Sequence, residues 1–134
     1  VADVKKFVSG NLIDENIFTL TDAISQKNKS VAVKILEEQA RSGIPLEYIL
    51  VMIRRQVRIL KQLKQADLAG NTAAEITTAF KLHPFVVKKG LEQARRFPEA
   101  DLEKLMQKLM DIDRANKIGQ GDPWTLIDLL IAEI

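Results

Sequence analysis

Residues 45–68 read PLEYILVMIRRQVRILKQLKQADL. Leu46, Ile49, Leu50, Ile53, Val57, Leu60 and Leu63 recur at steps of three and four, the spacing that lines up side chains on one face of an α-helix. Val51, Met52 and Ile59 widen this stripe. A helix apolar over so wide an arc belongs in the middle of a structure, with neighbours on several sides. Pro45 is tolerated in a first helical turn, where its missing N–H has no partner to lose, and Gly70 stops the pattern after Leu68.

The same period extends in both directions. Upstream, Ile17, Leu20, Ala23 and Ile24 share one face of a helix over 15–27. Ser30 then caps a helix through Arg41, and Gly43 supplies the left-handed residue that closes it. A short amphipathic piece, Ala2 to Val8, ends at Ser9-Gly10. Downstream, Thr72 and Glu75 form a capping box, hydroxyl and carboxylate each accepting from a free amide of a short helix ending near Phe80. Pro84 opens another through Arg96, with Val86, Val87, Leu91, Ala94 and Phe97 on one side and Lys88, Lys89, Glu92, Arg95 and Arg96 on the other. Pro98 separates it from a helix over 99–118. After Gly119-Gln120-Gly121, Asp122 caps and Pro123 begins a final helix to Ile134, apolar nearly all round. No stretch alternates long enough to read as a strand. The expected fold is all-α, a compact bundle of six to seven helices.

The 134 residues amount to one domain with one core, and 46% apolar content with 28% charged excludes a disordered chain. The absence of cysteine excludes disulfides, thiolate metal sites and cysteine nucleophiles, and fits a reducing cytoplasm. The longest apolar run, Tyr48 to Ile53, falls far short of the roughly 20 residues that span a bilayer, and no leader pattern opens the chain. The expectation is a protein neither membrane-spanning nor secreted.

Net charge is only +2, but its sign is uneven along the chain. Tyr48 to Ala66 carries Arg54, Arg55, Arg58, Lys61 and Lys64 and no acid, and Lys81 to Arg96 carries five cations against Glu92 alone. From Glu99 onward eight acids face four bases. Such runs serve protein–protein contacts, nucleic acid or solubility.

Catalysis has little to work with. The single histidine, His83, has no nucleophile for a triad, and neither a phosphate loop nor a dinucleotide fingerprint occurs. No enzyme, cofactor, metal site or small-molecule substrate is expected. One carboxylate is out of place: Asp113 falls within the stripe of Leu102, Leu105, Met106, Leu109 and Ile112. A charge there needs a cation, with Arg95 the first candidate and Arg55 or Lys117 behind it. Thr72 to Phe97 has the outline of a helix-turn-helix, which would make a nucleic-acid-binding module. However, Pro84-Phe85-Val86-Val87 is apolar where a recognition helix presents polar side chains to base edges. Pro84 fixes the helix start, and Phe85 is expected to anchor the turn in the core.

The order of these features resembles the C-terminal helical domain of the delta subunit of the bacterial DNA polymerase III clamp loader. The likeness runs from VKKFVSGNLIDENIFTLTD at 4–22, through Arg54-Arg55-Gln56-Val57-Arg58, to Asp113, Lys117, Asp122-Pro123 and the Leu-rich last helix. Its most specific stretch is His83-Pro84-Phe85-Val86-Val87-Lys88-Lys89 followed by Gln93-Ala94-Arg95. The resemblance implies that residues 1–14 end a preceding AAA+-like domain or linker and that 15–134 form a collar domain. It implies a role in holding the loader together for sliding-clamp loading in DNA replication, in the cytoplasm with the nucleoid-associated machinery. The implied partners are other members of the loader, with collar domains of gamma/tau and delta-prime type, and the resemblance leaves room for non-specific contact with primed DNA. His83, Pro84, Phe85, Arg95, Asp113 and Lys117 would then be structural, and Arg54, Arg58, Lys88, Lys89 and Leu129 would face an interface or DNA. Lacking initiator methionine and both AAA+-like domains, the chain is expected to be a fragment that cannot load a clamp alone.

Overall fold

The computed structural model of the chain describes residues 15–134; the expected piece Ala2 to Val8 lies outside the described residues, as do residues 1–14 as a whole. Seven helices and no strand occur among the described residues: α1 over 15–25, α2 Lys29–Arg41, α3 Leu46–Leu68, α4 Ala73–Phe80, α5 Pro84–Arg96, α6 Glu99–Lys117 and α7 Pro123–Ala132. All seven residues of the α3 stripe are buried. Met52 and Ile59 are half-buried against that core, whereas Val51, on the far side of the helix, is 50% exposed.

Helix ends follow the local chemistry with one change. Asn28, not Ser30, caps α2, its Oδ1 accepting from the Val31 N–H at 3.3 Å. Lys27 takes the left-handed conformation, φ +57°, so that the Asn28 N–H donates back to the Ala23 carbonyl at 2.8 Å. That closes α1 so tightly that the next helix starts at once, before Ser30 is reached. The capping box forms as its spacing predicts: Thr72 N–H donates to Glu75 Oε1 at 3.0 Å and Glu75 N–H to Thr72 Oγ1 at 3.2 Å.

Helices α5 and α6 flank α3, α4 packs on α5, and α7 lies against α6 and α2. Ion pairs Lys61–Glu103 at 2.6 Å and Arg54–Asp113 at 3.3 Å run in opposite sequence directions, so α3 and α6 are antiparallel. On the other flank the approach is close at one glycine. Gly90 is buried in mid-helix, and a Cβ there would collide with Cδ1 of Leu63. Three residues on, the fully buried Gln93 donates from Nε2 to the Phe18 carbonyl at 3.1 Å and accepts at Oε1 from Gln56 Nε2 at 3.1 Å. One amide thus ties α1 and α3 to α5, and both its polar ends are satisfied. Arg96 pairs with Asp22 and strengthens the α1–α5 contact.

Helix α7 buries Ile127, Leu130 and Ile131, leaves Trp124 and Leu126 half-buried, and stops at Ala132 rather than Ile134. The Lys29 ammonium of α2 donates to its last carbonyl, Ala132, at 2.7 Å. No helix among the described residues is long and apolar enough to cross a membrane.

The α3–α5 contact is testable. In an open helix Gly→Ala gains about 1 kcal/mol of propensity. Overpacking a close contact costs about 1–3 kcal/mol. Gly90→Ala should therefore lose stability in denaturant unfolding, and adding Leu63→Val should recover part of the loss by vacating the space the new methyl needs.

Candidate functional site

Asp113 meets cations, but not the one expected first. Its Oδ2 lies 3.3 Å from Arg54 Nη1 and 2.9 Å from Lys117 Nζ. The carboxylate is 19% exposed and the Arg54 side chain 24%, while Lys117 reaches in from solvent at 71%. Arg54 Nε is buried without a partner. Arg54 therefore bridges α3 and α6 through Asp113, while its side chain keeps 24% of its surface in water.

Arg95 instead forks onto Asp67, Nε to Oδ2 at 3.1 Å and Nη2 to Oδ1 at 2.8 Å. The reason is distance along α3. Asp67 and Arg54 are thirteen residues apart, about 20 Å on a helix, and Arg95 stands at the Asp67 end. The two hydrogen bonds from Arg95 hold the Asp67 carboxyl below the usual carboxylate range, and its charge and that of Lys64 act in the same direction. Arg55 is exposed and pairs with no acid among the described residues.

At the α4–α5 junction His83 caps α5, its Nδ1 accepting from the Phe85 N–H at 3.1 Å, and Pro84 fills the first turn. Phe85 does not anchor the core: it is 60% exposed, and Val86, placed on the inner side by its sequence neighbours, is 42% exposed. The buried line of α5 is Val87, Gly90, Leu91, Gln93 and Ala94. At about 100° per residue, Phe85 is some 200° away from Val87. Lys88 and Lys89 are exposed, and Lys89 Nζ stands 5.7 Å from the centroid of the Phe85 ring.

Leu129 projects from α7 at 54% exposure, and Arg58 projects from the outer side of α3. These candidates do not converge on one pocket. They lie on α3, on the α4–α5 junction and on α7 as separate surface positions. Gln93, missed by the sequence reading beyond its place in the resemblance, is the polar side chain that organises most of the interior. Its signal was a glutamine at the edge of the apolar stripe, at nearly the phase of Val86.

Comparison with known proteins is consistent across three routes. Residues 14–134 match the family described as DNA polymerase III delta subunit, C-terminal domain. The DNA polymerase III subunit delta of Bacillus subtilis (strain 168) is 29% identical over 132 residues, covering 98% of this chain and 38% of that protein. The solved Bacillus subtilis DNA clamp loader delta protein superposes with a TM-score of 0.85 at 27% identity, over 90% of this chain and 36% of that one. The chain thus spans less than two fifths of the length of the relatives it matches.

Two measurements probe these bridges. Breaking one partner of a buried pair costs about 3–5 kcal/mol and an exposed pair about 0–1, so the half-screened Asp113 should lose about 1–3 kcal/mol as Asp113→Ala in denaturant unfolding. Lys117→Ala, far more exposed, should lose less than about 1 kcal/mol. The Asp67 carboxyl, lowered in the folded state by Arg95, contributes stability that is present above the unfolded carboxyl pKa and fades as pH falls through the folded value. Arg95→Gln should therefore melt below wild type at neutral pH, with the gap closing in strongly acid solution, where Asp67 is protonated in both.

Proposed function

The chain belongs to the family formed by the C-terminal domains of DNA polymerase III delta subunits, and from that premise we propose that residues 15–134 are the collar unit through which a clamp-loader delta subunit joins its neighbours. In this reading residues 1–14 lead in from a preceding AAA+-like domain. The unit contributes binding rather than catalysis to sliding-clamp loading, as part of the cytoplasmic replication machinery. Its partners are the helical domains of gamma/tau and delta-prime type subunits.

The observation that carries the reading is Leu129, 54% exposed on a helix whose other large apolar residues are buried or half-buried. On the neighbouring α2, Val31 is 37% exposed. Interfaces that persist bury such side chains in an apolar centre and leave charges at the rim. Arg58, Lys88 and Lys89 have no acid partner among the described residues and suit a rim or the path of primed DNA, where substitutions alter association rate and salt dependence more than affinity. Arg54, held by Asp113, is left out of that set.

Size-exclusion chromatography with the other loader subunits of the same organism tests this. Leu129→Asp, folded by circular dichroism, should fail to co-elute, while Lys88→Glu with Lys89→Glu should still assemble and show only a changed salt dependence. Assembly that survives Leu129→Asp but is abolished by the charge pair overturns the reading.

A further inference from the structure

The α4–α5 junction leaves three large apolar side chains in water. Phe85 is 60% exposed, Val86 42% and Phe80 37%, and all three fall within seven consecutive residues. The bundle does not need them outside. Helix α4 is held by Ile76 and α5 by Val87, Leu91 and Ala94, all buried. Single exposed apolar side chains are ordinary, but three on one short connection make a patch of the kind that marks a contact site.

The surroundings of the patch are cationic. Lys81, Lys88 and Lys89 are exposed, no acid lies between Lys81 and Gly90, and none of the three lysines has an acid partner among the described residues. The first turn of α5, the positive end of its dipole, also lacks an acid. Lys89 Nζ stands over one face of the Phe85 ring, 5.7 Å from its centroid.

We propose that this junction is a docking site for an acidic peptide segment of another protein, with one large apolar side chain seated among Phe80, Phe85 and Val86 and carboxylates meeting Lys81, Lys88 and Lys89. An apolar centre framed by unpaired charge of one sign is complementary to that occupant. A single-stranded nucleic acid would want open aromatic faces for its bases. Here one face of Phe85 is taken by Lys89, and Val86 offers aliphatic area that suits a side chain better than a base.

Panning a random-peptide phage library against the immobilised chain tests the proposal directly. The expected pool is enriched in acidic sequences carrying Leu, Phe or Trp. A synthetic peptide from that pool should bind about tenfold more weakly, or worse, to Phe85→Ser and to Lys88→Glu with Lys89→Glu, both retaining the wild-type melting curve. No enrichment, a pool without acids, or binding indifferent to both variants overturns the proposal. A labelled oligothymidine strand that binds with the same residue dependence while acidic peptides do not would assign the surface to nucleic acid and equally overturn it.

Discussion

Helix α5 reaches α3 at Gly90, and much of the molecule depends on how close that contact is. A Cβ at this position would meet Cδ1 of Leu63, and the buried leucine or the helices would have to shift. With none there, Gln93, three residues on, lies fully in the interior and bonds Gln56 on α3 and the Phe18 carbonyl on α1. A glutamine buried there without both bonds would be left with the full desolvation penalty of an unpaired amide. The close approach is what lets a polar group act as the junction of three helices.

The opposite flank of α3 adds charge to its apolar packing, since α6 buries Leu102, Leu105, Leu109 and Ile112. Antiparallel α6 brings Asp113 to Arg54 and Glu103 to Lys61. Apolar stripes alone tolerate a slide of one helix along another. Two ion pairs set apart along the same seam do not, because a slide breaks both. The pairs add only modestly to stability, but they distinguish one register from its neighbours.

Burial along α3 was legible because a repeat of three and four depends on nothing but which side faces the core. The caps at Thr72 and Asp122 were legible for a similar reason, being chemistry between residues three apart. Partnerships across helices were not. Arg54 and Arg95 look alike in the sequence, and only the direction of α6 decides which reaches Asp113. Phe85 and Val86 were misplaced by equating apolar with buried. Phe85 lies about 160° from Val87 on the helical wheel, and that phase alone points it outward. Val86 and Gln93, seven residues apart, share nearly the same phase at the edge of the stripe, so periodicity does not tell that the glutamine is buried and the valine exposed.

The bond from Lys29 to the Ala132 carbonyl joins residues 103 apart in sequence, and this bears on the order in which the bundle can form. Closing so long a loop costs about 2 kcal/mol more than closing one of ten residues. Helices α3 to α6 can find each other through much shorter excursions and need no help from the chain ends. The α2–α7 seam carries that full closure cost only if it forms before the interior, and a formed interior brings its two sides together at little further cost. Sequence separation, and not only bond strength, thus sets what this seam asks of the chain.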